Sequence, residues 1–518
     1  MIKGSELMNN KLSNKNSEVL KDRLEQYTFK NSLKENIELF KNTILTDDDT
    51  VIYRKIKNKH SSLNFCLVFV DGMVNNRIIN ENIICKLINC KLTSKSSKLI
   101  NYINEQVIVI DDTKETTSVD TTVNSLLYGD CVLFIDGFDK VLVLNTKEWE
   151  TRSISEPTSE TIINGPREGF NESLNTNMSL IRRKINSPNL KFKIKEIGVR
   201  TRTKVCITYV DGIVNKKILN ELENRLNKID IEGVFSTEII KEYITDRPLS
   251  CFKTIGNTER PDIVASKLLQ GRIAILCDGS PTAITLPFLF IEYFQVNEDY
   301  YQNFVYASIN RLIRLVAFIL TTYTPGLYIA IVAFHKEMIP SKLALSIYLS
   351  REDVPFPIAV EALIMIIVFE ILIEAGIRLP KHIGAAVSIV GALILGEAAV
   401  SAKFIGAAMV IITAITGICE LILYNMKSSI IIIRFLFLIL GSWLGLYGII
   451  LGNIGLTIYL ISIKTFGVPY MLKITDLNKY NITDSGIRAP WWLLKYRTRF
   501  ISKDSIRNEN NTKRRNLQ

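Results

Sequence analysis

Four glutamates, Glu361, Glu370, Glu374 and Glu397, each stand inside a run of apolar residues. Glu370 and Glu374 are four apart, so on a helix they share one face, while Glu361 points elsewhere. A charged side chain at the centre of a bilayer costs about 2.5–3.5 kcal/mol even on lenient scales, so several together need a reason. One reason is structural. Glu361 and Glu374 lie near the ends of their run and can reach the interface, and any of the four can be protonated or paired with Arg314 or Lys403. The other is functional: copies ringed around an axis turn one facing glutamate into the acidic ring of a cation pathway. The reading adopted is a cation path, with Glu370 and Glu397, the deepest, as its main contributors.

A second group is Pro166-Arg167-Glu168-Gly169-Phe170, within a charged, proline-containing connector over residues 149–195. Long ordered connectors tend to be functional. A rigid turn, an opposite-charge pair and one aromatic suit docking against a neighbour better than free solvation. Aspartates at strand ends (Asp71, Asp136, Asp211 and Asp278) invite a phosphate or metal reading. Each precedes a glycine, and no phosphate loop accompanies them, so they read as tight turns. The histidines are His60, His335 and His382, and no Cys/His spacing resembles a metal site. Nothing here implies a cofactor, and no nucleophile–base constellation marks an enzyme.

The elements that must hold the glutamates are apolar runs near the roughly 20 residues a helix needs to cross a bilayer. They are Leu312–Phe334, Ile358–Ile377, Gly384–Ala402, Phe404–Tyr424 and Ile430–Ile463. The last is long enough for two short crossings folded at Leu451-Gly452-Asn453-Ile454-Gly455, or for one crossing and a re-entrant piece. Arg311, Arg314, Arg378, Lys381, Lys427 and the basic tail all fall on the cytoplasmic side if there are six crossings; four with a re-entrant end is the rival count. Pro325-Gly326 reads as a kink repaired by neighbouring helices. Glycines and alanines in the third and fourth runs suit close helix contact, and Trp443, Trp491 and Trp492 suit interfacial anchors.

The preceding half carries an internal repeat. FCLVFVDGMVNNRIIN at Phe65–Asn80 matches VCITYVDGIVNKKILN at Val205–Asn220, and LLYGDCVLFIDG ending at Gly137 matches LLQGRIAILCDG ending at Gly279. The pattern predicts two similar α/β subdomains in tandem, each with hairpin Asp-Gly turns. Cys66, Cys131, Cys206 and Cys277 lie in strand-like apolar runs and read as small buried hydrophobes. Residues 1–30 lack an apolar h-region, so this half is expected in the cytoplasm. The net charge of +11 is dispersed beside apolar runs, which argues for membrane orientation and against nucleic acid.

Several stretches carry a resemblance. They include Glu156-Pro157, Gly165-Pro166-Arg167-Glu168-Gly169-Phe170-Asn171-Glu172, Leu180-Ile181-Arg182-Arg183 and Asp278-Gly279-Ser280-Pro281. Glu298-Asp299-Tyr300-Tyr301, His335-Lys336-Glu337-Met338-Ile339-Pro340, Arg351-Glu352-Asp353-Val354-Pro355-Phe356-Pro357, Phe466-Gly467-Val468-Pro469-Tyr470 and Ile487-Arg488-Ala489-Pro490-Trp491-Trp492 extend it. With these the chain, past about residue 50, is similar to the A subunits of GerA-family spore germination receptors. The resemblance implies a multi-pass subunit of the spore inner membrane. It implies partners too: a transporter-like B subunit that binds the nutrient, a lipoprotein C subunit, and further copies forming the ion path. A solute transporter is the alternative, but the membrane block lacks two similar halves and the visible repeat lies in the soluble part.

The expected fold is thus an α/β cytosolic region of two tandem similar subdomains followed by an all-α polytopic membrane bundle. Its parts are an N-terminal tail and helix (1–49), subdomain 1 (50–148), the connector (149–195), subdomain 2 (196–305), the helical bundle (306–470) and a basic cytoplasmic tail (471–518).

Overall fold

A computed structural model describes residues 24, 26–91, 99–148, 160, 164–378, 396–475, 484–494, 496–498 and 500–503. The two sequence copies fold into two five-stranded antiparallel sheets with the same strand order. The first runs β1 (Val51–Lys57), β2 (Asn64–Val70), β4 (Cys131–Ile135), β5 (Val141–Leu144), β3 (Thr113–Thr116). The second runs β6 (Leu190–Ile197), β7 (Thr203–Val210), β9 (Ile273–Cys277), β10 (Ala283–Leu286), β8 (Gly256–Thr258). Both faces of each sheet are covered, so the central strands are buried along nearly their whole length. Side chains of a strand alternate between faces. Phe65, Leu67 and Phe69 therefore meet Ile79, Ile83 and Leu87, while Cys66, Val68 and Val70 meet Phe40, Val123 and Leu126. Cys66 and Cys206 occupy equivalent buried places in the two copies, and all eight cysteines are free.

The structural repeat begins upstream of the matching sequence. α1 (Leu33–Leu39) and α2 (Leu174–Lys184) open the two copies, N-capped by Ser32 and Ser173. Asp136 accepts a hydrogen bond from the Leu33 amide (3.4 Å), and Asp278 accepts one from the Leu174 amide (3.1 Å). Each of these Asp-Gly pairs is a turn, as expected, and its carboxylate also caps the helix that opens its own copy. Asp47-Asp48-Asp49 follow the α1 segment and join the copies. Asp48 meets the buried Arg182 of α2 at 2.5 Å, and the Asp49 carboxylate accepts from the Ile194 amide at 2.8 Å. Further helices cover the second sheet, among them α3 (Lys216–Asn227) and α4 (Pro261–Leu269).

The chain leaves the second sheet into α5 (Phe304–Ile329), which runs through Pro325 and ends in a π-helical turn, Ala330–Phe334. The helix thus continues through the Pro325-Gly326 kink site, and its departure from α-helical geometry comes in the following turn. Then come α6 (Ile358–Arg378), α7 (Ala407–Ile422) and α8 (Lys427–Ser462). Two described helical stretches are long and apolar enough to cross a membrane, Phe304–Phe334 and Tyr424–Ser462, with Ala407–Ile422 shorter. The expected run Gly384–Ala402 lies outside the described residues up to 395.

α8 is a hairpin. Gly445 sits at φ 60°, ψ −141°, a conformation that only glycine takes without strain. A Cβ on Gly452 would lie 2.6 Å from Leu440, which a straight helix would hold roughly 18 Å away. The fold therefore comes at Gly445 and not at the expected Leu451–Gly455 stretch, whose Gly452 packs against the first leg. Both leg ends return to the second sheet's domain: Ser429 donates to Cys251 O (2.5 Å), and Arg247 donates to Ser462 Oγ (3.0 Å). The hairpin's first leg also meets α5 backbone to backbone. A Cβ on Gly441 would stand 2.5 Å from Gly326 O, and one on Gly326 would stand 2.5 Å from Phe437 O.

Candidate functional site

Three buried charge clusters stand where the sequence placed isolated charges. The first is at the junction of the two halves. Asp299, fully buried on a 3-10 turn, is shared by Arg311 and Arg314, which are three residues apart on α5 and so project to the same side. It accepts from Arg311 Nε at 3.1 Å and from Arg314 Nη1 at 2.8 Å. Arg311 also reaches Asp484 of the C-terminal segment at 2.9 Å, and the Tyr300 hydroxyl donates to Asp484 at 2.9 Å. Burial, then the Asp484 charge, push the Tyr300 hydroxyl well above its ordinary range. The Arg488 guanidinium stacks over the Tyr300 and Trp491 rings. One carboxylate thus binds the first helix, and a second binds that helix to the tail.

The second cluster lies inside the helical region. Arg434, on the first hairpin leg, donates to Glu420 of α7 at 2.9 Å and also to Glu370 of α6, with Lys427 3.7 Å from Glu370. Arg434 and Glu420 are 1% and 2% exposed, so their desolvation is offset only by this pairing. The third cluster closes the far end. Glu361, fully buried, accepts from Arg351 at 2.6 Å and from the Gly406 amide at 3.1 Å.

The four glutamates are therefore not brought together. Glu370 faces inward, Glu374 is exposed and pairs with Arg378 of its own helix, and Glu397 is exposed. Nor do their partners match those expected from sequence, Arg314 and Lys403. Arg314 is held by Asp299, and Lys403 pairs with Asp353. Sequence reasoning missed Glu420 and Arg434. A signal existed, since each is the lone charged residue of its apolar run.

The connector lies on subdomain 2. Phe170 is buried with Met178, Ile181 and Leu268, and its amide donates to Glu259 O at 2.7 Å. Pro166 O accepts from the buried Arg260 at 2.9 Å, and Glu168 pairs with Lys184 at 2.7 Å and with Arg183. Beside it a cavity of about 290 Å³ is lined by Glu160, Lys253, Arg260, Lys267, Arg272 and Glu292, and by Tyr424 from the bundle. Burial works to raise the Glu292 carboxyl, but Arg272 (2.5 Å) and Lys267 (3.0 Å) outweigh it and pull it down to about 2. Lys267 moves the other way, its ammonium lowered by burial despite Glu292. Arg272 is the closer and permanently charged partner, so it is the group that keeps Glu292 ionised.

Comparison with known proteins adds a family to this geometry. The family model described as the Bacillus/Clostridium GerA spore germination protein matches residues 38–500. Spore germination protein KA of Bacillus subtilis is 40% identical over 91% of this chain and 87% of its own length. Spore germination protein GerLA of Bacillus cereus is 36% identical over 87% of this chain and 92% of its own. Spore germination protein A1 of Bacillus subtilis is 33% identical over 90% and 96%. Among solved structures, the N-terminal domain of the A subunit of the Bacillus megaterium spore germinant receptor GerK3 is 30% identical, covering 51% of this chain and 98% of that one at a TM-score of 0.41.

Proposed function

We infer the function of this chain from the family to which it belongs, the GerA spore germination proteins of Bacillus and Clostridium. It is an A subunit of a germinant receptor. On our reading it sits in the spore inner membrane and works with a transporter-like B subunit and a lipoprotein C subunit. It relays nutrient binding to cation release. Its role is not enzymatic.

A membrane setting is supported by a wide belt of exposed apolar side chains on the helices, including Leu312, Ile319, Ile418, Ile450 and Ile458. Trp443 stands near the hairpin tip, and Trp491 and Trp492 stand near the root of α5, as anchors at two interfaces would. Each hairpin leg of about 17–18 residues rises roughly 26 Å, close to the hydrocarbon thickness of about 30 Å. The helical region begins against subdomain 2 at Asp299 and ends against it at Arg247. That favours an even number of crossings, six on our reading, with the soluble half and the tail in the cytoplasm.

The observation that carries the relay is the buried junction of Asp299, Arg311, Arg314 and Asp484, which links the soluble half to α5 and the tail without an intervening flexible linker. We read the connector Pro166-Arg167-Glu168-Gly169-Phe170 as an element that docks between subdomains or subunits and not as a mobile linker. The conducting element is a ring of copies whose interior carboxylates, Glu370 above all with Glu361, Glu374 and Glu397 as further candidates, attract monovalent cations. The test is Glu370→Gln and Glu397→Gln in spores, reading monovalent cation release after nutrient addition with subunit levels checked by blot. Altered rate or ion selectivity at normal subunit level is expected. Unaltered release from both variants at normal level would place the path elsewhere.

A further inference from the structure

The two copies complete their sheets with different parts of the chain. In the first copy the chain leaving β5 turns back beside Met73-Val74-Asn75. Val74 forms an antiparallel bridge with Lys147, the Glu148 amide donates to Met73 O at 3.1 Å, and the Asn75 amide donates to Thr146 O at 2.8 Å. The equivalent place in the second copy lies beside Ile213-Val214-Asn215, but there the chain leaving β10 departs for the helices. Residues 500–503 fill it instead. Val214 bridges Ser502, the Lys503 amide donates to Ile213 O at 2.8 Å, and Asn215 Nδ2 donates to Phe500 O at 2.8 Å. Ile501 is fully buried there.

The floor of the groove repeats as well. A Cβ on Gly129 would stand 2.8 Å from Met73 O and 3.5 Å from the Lys147 side chain. One on Gly271 would stand 2.7 Å from Ser502 Cβ and 3.2 Å from Ile213 O. Bridge, amide donor and floor glycine thus correspond position by position, although the fillers come from places more than 350 residues apart in sequence.

We propose that the groove between the turn after β7 and the end of α4 is a segment-binding site whose occupant is the same chain's C-terminal segment, residues 500–503. Recognition is by main-chain pairing at a sheet-like edge with one apolar side chain set inward, the mode by which strands are added to domains. The same-chain occupant is favoured by tethering. Arg247 holds the end of α8, the Tyr470 hydroxyl donates to Lys253 O at 2.9 Å, Asp484 pairs with Arg311, and Arg497 donates to Leu269 O at 2.8 Å. Described points of the chain between α8 and the groove are thus held against subdomain 2 and the base of α5, which gives the segment a high effective concentration there.

Val214 and Ser502 are a non-hydrogen-bonded antiparallel pair, whose Cα atoms stand about 4.5 Å apart and suit a disulfide. The test uses the full chain in membranes, with Val214→Cys and Ser502→Cys together and each alone, under mild oxidation. The double variant should give a reductant-sensitive shift of the monomer band that neither single variant shows. A crosslinked dimer as the main product would overturn the same-chain occupant, and no crosslink would overturn the site. Ile501→Asp gives an independent reading. Evicting the segment should raise trypsin cleavage at Arg497 and Lys503 by at least about tenfold, since cleavage follows the population of the open form. An unchanged cleavage rate would also overturn the proposal.

Discussion

Arg434→Met removes the guanidinium that Glu420 and Glu370 share. The side chain is 1% exposed, and methionine fills a similar volume without charge. Two charge-assisted hydrogen bonds disappear, each contributing about 1.5–3 kcal/mol, and Glu420 is left buried without the guanidinium it was paired with. Lys427 remains 3.7 Å from Glu370 and softens the loss chiefly on that side. The expected cost is about 3–5 kcal/mol, the range for breaking a buried pair by removing one partner. Arg434→Lys keeps the charge but supplies one point donor where two carboxylates on different helices need a fork, so it should lie between wild type and methionine. The triple variant Arg434→Met, Glu370→Gln, Glu420→Gln removes the three charges that Arg434 joins and leaves only the partly exposed Lys427 without its partner. It should recover most of the loss, because an apolar replacement of a whole buried network is often close to neutral. The assay is the unfolding midpoint of purified protein in detergent, with the folded fraction from size exclusion. If Arg434→Met costs less than about 1 kcal/mol, or the triple variant is no more stable than the single one, the three groups do not form a mutually dependent network.

Three further outcomes follow from the geometry. The depressed Glu292 carboxyl makes stability fully present above its ordinary value near pH 4.5 and lost as pH falls toward 2; Glu292→Gln should abolish this acid-side loss, roughly 3 kcal/mol, in a pH series of unfolding midpoints. Arg167→Ala with Phe170→Ala should cost about 3–5 kcal/mol, mostly from the buried ring, and weaken receptor assembly in a pull-down of the partner subunits; full assembly and activity would sink the docking role. Gly445→Val forces a β-branched residue into a positive-φ turn, and the folded yield of full-length protein should fall sharply while Gly455→Ala, where a Cβ meets open space, leaves it unchanged.

The tandem α/β architecture was legible because its signals are local. Asp-Gly-x-Val-Asn combines a turn, a bridging valine and an N-cap within five residues, and both copies kept it. What joins distant parts was not legible. Glu370 could be flagged as an expensive charge, but its partner lies 64 positions away, and only tertiary packing selects Arg434 over other bases. The hairpin turn was misplaced for a related reason. Gly441, Gly445, Gly448, Gly452 and Gly455 all permit a turn, and sequence alone does not distinguish the one that bends, Gly445, from those that pack against neighbours. The role of the Asp299 cluster was hidden in the same way. Arg311 and Arg314 read as orientation signals at a helix start, and their shared acid lies on a short turn that no periodicity announces.

The contact between Gly326 and Gly441 has a mechanical consequence. Helices that interlock through large side chains move past each other only by lifting whole rows of knobs from their holes. Here two bare backbones touch, and Tyr323 pins the contact about one turn away, its ring 4.4 Å from that of Phe437 and its hydroxyl donating to Asn453 at 2.8 Å. Such a joint is a smooth face held by a single peg. A pull applied to the base of α5 at Asp299 would be carried along that helix, passed to both hairpin legs at the peg, and reach Phe334 and His335, where the far end of α5 rests on Gly445.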